Sequence, residues 1–427
     1  MTSSAEDIAL AVVALVRDGR FEEIRERFAD AVRPLVTSGV LKAAWDAEVA
    51  QHGPLASVGT PVSRPPQGGV VVVTVPLTFG RGQLTLTVPV TGGGQLAGLQ
   101  LAPAGPDQSP WGPPAYADPA RFDEEELTLD TGPLAVPGTL SLPRAAPPYP
   151  AVVLLGGSGP QDRDGTIAKS KPLKDLAWGL ASRGVAVLRF DKVTYAHPDQ
   201  VKADRDFTVA DEYLPQALAA VRLLSAHPAI GSGRIFLAGH SLGGTVAPRV
   251  AAAEPSLAGL VILAGGTEPL QWAAVRQLRY IASLDPATAA ESQPGIDAMT
   301  ARAEHVDSPG LSPDTPADEL PFDVPAPYWL DLRGYDPVAT AAALGQPIFF
   351  GQGGRDYQVT ATGDLGRWRA GLDGRPGVTV RVYPADNHFF FPGSGPSGPA
   401  ELAPPQHVDP ALIDDIADWI TTGRLNG

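Results

Sequence analysis

The feature that most restricts how this chain can fold is an alternation that begins at Pro150. Short apolar runs recur along it: "AVVLL" (151–155), "VAVLRF" (185–190), "RIFLA" (234–238), "LAGLVILAG" (257–265) and "PIFFGQGG" (347–354). Between the first four lie stretches with helical spacing, "KPLKDLAWGLASRG", "VADEYLPQALAAVRLLSAH" and "TVAPRVAAAEP". A strand buried on both faces reads as a continuous apolar run, not as an alternation of apolar and polar residues. Such strands separated by helices predict an α/β fold, with a mostly parallel central sheet covered on both sides. The run "VTVRVYPA" (378–385) adds a late strand.

One interruption stands out, between Gly265 and Leu344. A connection this long is uncommon inside a sheet unless it has a task. Residues of about 266–344 are therefore expected to form a helical lid insertion. Upstream, residues 5–52 carry apolar positions at helical spacing, and "VVVVTVPLTFGRGQLTLTVPVTGGGQLAGLQLAP" reads as antiparallel strands separated by glycine turns. Helices followed by strands predict a small accessory α+β domain over 1–103. The Pro/Gly-rich stretch 104–123 reads as an extended, semi-rigid linker, and 124–427 as the α/β domain that holds the lid.

Composition excludes several functions. The chain carries a net charge of −15 and no dense Lys/Arg run, so neither a nucleic-acid surface nor an anionic membrane face is expected. It has no cysteine, which removes disulfides and thiolate chemistry together. The seven histidines show no metal-ligand spacing, and no metal or organic cofactor is expected. Glu6 and Asp7 precede the first apolar run and no basic segment opens the chain, so the start reads as an amphipathic helix and the expected location is cytoplasmic.

Chemistry concentrates at "IFLAGHSLGGTVA". With 47 glycines in 427 residues, G-x-S-x-G could arise by chance. Here, however, the serine follows the strand "RIFLA" and precedes a helix, the setting of a nucleophile elbow, with Gly239 and Gly243 sparing the turn from side-chain clashes. Ser241 is the candidate nucleophile. A serine needs a base, and in such a site an acid and then a histidine follow in the chain. His388, in "VYPADNHFFFPG" just after a strand, is the candidate base; His407, before the C-terminal helix, is expected at the surface. Asp356, in the turn after "PIFFGQGG", is the candidate orienting acid, with Asp386 as rival, although Asp386 is only two residues from His388. The backbone amides of Leu242 and of Ser158, in "GGSGPQDRDG", are the candidate oxyanion donors. Asp162, Arg163 and Asp164 read as ion-pairing braces of that loop. Tyr328, Trp329 and Trp272, in the insertion, are candidate pocket residues, with packing inside the lid as the alternative. His240 is expected to pack behind the elbow.

Together "LLGGSGPQDRDG", "RFDKVTYAHP", "AGHSLGG", "PYWLDLRGYDP" and "GQGGRDYQV" resemble a bacterial group of serine esterases in the α/β-hydrolase superfamily, related to dienelactone hydrolases and prolyl oligopeptidase catalytic domains. The resemblance covers about 124–425. In similar chains the segment after the second core strand often reads D-K-R; here it is Asp191, Lys192 and Val193. The N-terminal hundred or so residues resemble an accessory domain that precedes such esterases, on Trp45, "VPLTFGRGQLTLTV" and "LAGLQLAP".

The expected activity is cleavage of a carboxylic ester through an acyl-enzyme on Ser241, with a small ester or acyl compound as the partner. The same residues would also serve a thioesterase, a peptidase, or an acyl-transfer or cyclising enzyme. A non-catalytic ligand-binding homologue is the reading from a different class. The N-terminal domain is expected to be a cleft wall or a homodimer contact.

Overall fold

The computed structural model describes residues 4–30, 32–64, 69–103, 111–286 and 289–423. The chain divides into two compact units, Met1–Pro110 with Ala274–Ala301, and Trp111–Ala273 with Arg302–Gly427.

In the first unit, helices α1 (Ala5–Arg17), α2 (Phe21–Arg25) and α3 (Ser38–His52) precede strands β1 (Leu55–Val58), β2 (Val62–Ser63), β3 (Val70–Phe79), β4 (Gly82–Thr91) and β5 (Gln100–Pro103). α1 starts where it does because Ser4 and Asp7 form a capping box, which satisfies two free amides at the helix start. Its apolar stripe, Ala9, Val12, Val13, Leu15 and Val16, is buried. The strands are antiparallel, in the order β1-β3-β4-β5, with β2 beside β3. β3 and β4 join through Gly80 and Arg81, pairing Phe79 with Gly82. Alternate residues Val73, Val75, Leu77 and Phe79 meet Leu84, Leu86, Val88 and Val90 in the core.

The second unit is built on eight strands, β6 (Phe122–Leu129), β7 (Val136–Pro143), β8 (Tyr149–Leu155), β9 (Ala186–Phe190), β10 (Ile230–His240), β11 (Gly259–Leu263), β12 (Ile348–Gly353) and β13 (Val378–Tyr383). Their order is β13-β12-β11-β10-β8-β9-β7-β6. β7 runs antiparallel to both neighbours, and every other pairing is parallel. The helices of this unit are α4 (Pro172–Ala181), α5 (Val193–Ala196), α6 (Pro198–Ala203), α7 (Val209–Ala226), α8 (Leu242–Ala253), α11 (Ala326–Arg333), α12 (Pro337–Ala342), α13 (Asp364–Gly371) and α14 (Pro410–Thr422), while most of α9 (Leu270–Leu284) and α10 (Ala289–Asp307) belongs to the first unit. The apolar runs serve two cores at once. Val153, Leu155 and Leu237 pack with Ala217 and Val221 of α7 and Val246 and Val250 of α8. Val152, Leu154 and Phe236 pack with Leu176 and Leu180 of α4 and Ile413 and Trp419 of α14. The mostly parallel, two-faced sheet expected from the sequence is the one found.

Two boundaries differ from the sequence reading. Residues 104–110 of the expected linker lie outside the described residues. From Trp111 on, the chain packs onto the second unit: the Trp111 indole donates to Asp175 Oδ1 at 2.7 Å and stands edge-on to Trp178 at 4.8 Å. A proline-rich composition hid this aromatic anchor. The expected lid of about 266–344 is also not one body, because Ala274–Ala301 packs with the first unit. There Ser38 donates to the Glu291 carboxylate through its amide at 2.9 Å and its hydroxyl at 2.6 Å, and the Arg25 guanidinium donates to the Glu291 carbonyl. Leu278, Ala282 and Ile296 form a small cluster of their own. Among the described residues, no helix is long and apolar enough to cross a membrane.

Candidate active site

Ser241 lies between the end of β10 and the start of α8. Its backbone has φ 56° and ψ −122°, a conformation that costs an L-residue strain and that surrounding contacts must hold in place. The Ser241 amide donates to the Leu263 carbonyl at 2.9 Å, and the Ser241 carbonyl accepts from the Thr245 amide at 3.0 Å. A Cβ on Gly239 would lie 2.2 Å from the Gly243 carbonyl oxygen, and one on Gly243 would lie 2.5 Å from that of Gly156. Only glycine fits either position, so the elbow spelled in the sequence is an elbow in the fold. Leu242 is the first residue of α8, so its amide has no carbonyl within the helix to bond.

The loops after β12 and β13 bring Asp356 and His388 together. Gly353 makes this approach tight: a Cβ there would sit 2.4 Å from the Asn387 carbonyl oxygen. Its φ is not in the left-handed region, so close packing and not turn geometry demands the glycine. His388 Nδ1 donates to Asp356 Oδ2 at 2.8 Å, and both side chains are buried. Asp356 also accepts from the amides of Gln358 at 2.8 Å and Val359 at 2.9 Å, and from Gln352 Nε2 at 3.2 Å. These donors fix the carboxylate, which in turn fixes the ring so that Nε2 remains the free nitrogen. Asn387 holds the turn beyond, its Oδ1 accepting from the Phe389 and Phe391 amides at 3.0 and 3.2 Å.

His240 couples the elbow to the histidine loop. It is buried, and its ring centroid lies 4.7 Å from that of His388. Burial, followed by the neighbouring His388, pushes its pKa down to about 3. The neutral ring donates Nε2–H to the His388 carbonyl at 2.9 Å. His240 thus packs behind the elbow, as its sequence position suggests.

Across from Ser241 runs the loop after β8. A Cβ on Gly157 would lie 3.1 Å from the Ser241 Cβ. The Gly157 amide is occupied, donating to Gln161 Oε1 at 2.9 Å, whereas Ser158 is exposed. Arg163 is tied to Asp191, through its amide at 2.8 Å and its Nε at 3.0 Å. Asp164 accepts from Lys171 at 2.7 Å and Arg189 at 3.0 Å, and Asp162 from the Thr166 amide at 2.8 Å. The acid–base run of this loop is a brace.

Of the three pocket candidates read from the insertion, Tyr328 and Trp329 are buried and Trp272 is only partly so. Trp329 is 1% exposed and packs among Val306, Leu311, Leu320 and Ala326. Tyr328 is also buried, with its hydroxyl 2.6 Å from Glu212 Oε2. Tyr328 belongs to the main core beneath the sheet and Trp329 to a smaller separate cluster, the packing weighed as the alternative for them. Trp272 donates its indole N–H to Asp307 at 2.6 Å. His407 has a side chain 39% exposed, in keeping with the surface position expected for it, and its Nδ1 sits 3.1 Å from the buried Asp175 carboxylate. Asp386 makes no bond to the His388 ring; its carboxyl is buried near Asp409.

Sequence reasoning missed a buried polar group beneath the loop after β8. Lys192 Nζ donates to the Gly157 carbonyl at 2.6 Å and to the Tyr213 hydroxyl at 3.0 Å, and pairs with Glu212 Oε1 at 2.9 Å. No local pattern in the sequence marks it, because Lys192 meets Glu212 and Tyr213 from some twenty residues away. Among the described residues, no cluster of three or more His, Cys, Asp or Glu side chains could hold a metal ion.

Esterase EstD of Thermotoga maritima is 37% identical to this chain over 346 residues, 81% of this chain and 78% of that protein. The chain belongs to the α/β-hydrolase esterase family. A second relative, 2,6-dihydropseudooxynicotine hydrolase of Paenarthrobacter nicotinovorans, is 31% identical over 159 residues, 37% of this chain and 39% of that protein. No family profile matches the chain. Among solved structures, Est1E from Butyrivibrio proteoclasticus is 18% identical with a TM-score of 0.43, covering 62% of this chain and 90% of that chain. Puromycin hydrolase is 14% identical with a TM-score of 0.45, covering 86% of this chain and 47% of that chain. Those two likenesses add nothing to the strand order already given; family membership rests on the 37% identity.

Proposed function

We propose that the protein is a serine esterase that cleaves carboxylic esters through an acyl-enzyme on Ser241. The observation that carries this reading is the buried Asp356–His388 hydrogen bond of 2.8 Å, with His240 linking His388 to the strained elbow. The Ser241 hydroxyl attacks the acyl carbon as its proton passes to His388 Nε2. Asp356 holds the tautomer that makes this possible and stabilises the imidazolium that results. The amides of Ser158 and Leu242 donate to the oxyanion of the tetrahedral intermediate. His388 returns the proton to the departing alcohol. Water, deprotonated by the same ring, then attacks the ester on Ser241 and releases the acid.

The name of the 37% identical relative, an esterase, supports the choice of ester over other acyl substrates. Hydrolysis of short p-nitrophenyl esters tests the reading. Ser241→Ala is expected to lower kcat/KM by at least roughly a thousandfold and to abolish labelling by a fluorophosphonate. Equal slow turnover by wild type and variant would remove the nucleophile assignment.

A further inference from the structure

We infer that Lys192 and Tyr213 are positioning residues that aim the oxyanion-binding amide of Ser158; the inference rests on the esterase reading above. A trans peptide unit is planar, and its C=O and N–H point in opposite directions. The carbonyl of Gly157 and the amide of Ser158 belong to one such unit. The Gly157 carbonyl is held on its inner side by two donors, Lys192 Nζ at 2.6 Å and the Tyr213 hydroxyl at 2.9 Å. Held there, it turns the Ser158 N–H away from the core, on the loop whose Gly157 abuts Ser241.

The anchor is itself fixed. Lys192 has three protons and three acceptors: the Gly157 carbonyl, the Tyr213 hydroxyl and Glu212 Oε1. Glu212 also accepts from Thr194 Oγ1 at 3.1 Å and from the Tyr328 hydroxyl at 2.6 Å. Tyr213 reaches the Gly156 carbonyl as well, at 3.1 Å. Lys192, Glu212, Tyr213 and Tyr328 are all buried. Burying a charged pair in a core is seldom the most stable choice, so this one is placed where direction matters. An oxyanion donor works only if it is oriented before the charge develops. The network also gives Tyr328 a role in place of the pocket contact expected from the sequence.

The test compares wild type with Tyr213→Phe, which leaves the Lys192–Glu212 pair in place, and with Lys192→Met/Glu212→Gln, which removes both buried charges together. Active sites are counted by fluorophosphonate labelling, so that misfolded protein does not enter kcat. Tyr213→Phe is expected to lower kcat roughly tenfold with KM within about twofold, and the double variant to lower it further, because removing an oxyanion donor outright costs roughly a hundredfold or more. Affinity for a trifluoromethyl ketone, whose adduct carries the oxyanion, is expected to fall by the same factor as kcat. A purely structural role would lower the melting temperature and leave both kcat per labelled site and ketone affinity unchanged, and that result overturns the inference. Ser241→Ala separates the two levels. If it stays active, the esterase reading fails; if it is inactive while Tyr213→Phe matches wild type, only the positioning role fails.

Discussion

At the scale of single residues, the site is held by backbone approach as much as by side chains. Gly239→Ala would drive a Cβ against the Gly243 carbonyl at 2.2 Å, so the variant is expected in the insoluble fraction, with wild type recovered soluble under the same expression conditions. Asp356→Asn keeps the shape but offers the ring the wrong tautomer. Its kcat on a p-nitrophenyl ester is expected to drop by roughly a thousandfold or more, with an unchanged circular dichroism spectrum. Asp386 governs a different property. Burial, then the Asp409 carboxylate, pushes its pKa up to about 7. A folded-state pKa above the unfolded value means that the folded form holds the proton more tightly. The stability this group contributes is complete below about pH 4 and is lost as pH rises through about 7. Urea unfolding across that window is expected to show a shallower decline for Asp386→Asn than for wild type.

At the scale of elements, the strands were legible and the helix faces were not. "AVVLL" and "RIFLA" are apolar on both sides because the sheet is covered on both sides, and the elbow follows from the strand that delivers it. Asp356 and His388 could be named because each lies in the loop that follows a strand, β12 or β13. Tyr328 and Trp329 were misjudged because α11 has little apolar asymmetry, so its sequence does not say which side faces inward. Lys192, Glu212 and Tyr213 were missed for another reason. A polar network inside a core joins distant positions, and no local pattern announces it. The corrected role of α11 has a measurable consequence: Trp329→Ala is expected to cost about 3–5 kcal/mol of stability. KM for a short ester, measured on the folded fraction, is expected to stay at the wild-type value.

At the scale of the whole molecule, the division into units differs from the division of the sequence. A chain of two compact units is not expected to unfold in a single step. Calorimetry should resolve two transitions. Ser38→Ala with Glu291→Ala, which removes bonds inside the first unit only, is expected to lower one of them by a few degrees and leave the other in place. The same division bears on truncation. Removing residues 1–103 would also strip Ala274–Ala301 of its packing partners, so the shortened chain is expected to bind a hydrophobic dye that the full chain does not.

The segment Ala274–Ala301 also sets an order for assembly during synthesis. Domains that emerge first from the ribosome ordinarily fold first. Here the leading unit lacks one of its parts until residue 301 has been made, by which time β6–β11, six of the eight strands of the trailing unit, are already in the chain. The second sheet can begin to form while the first unit is still open, and on the ribosome the amino-terminal unit gains its last piece before β12 and β13 complete that sheet.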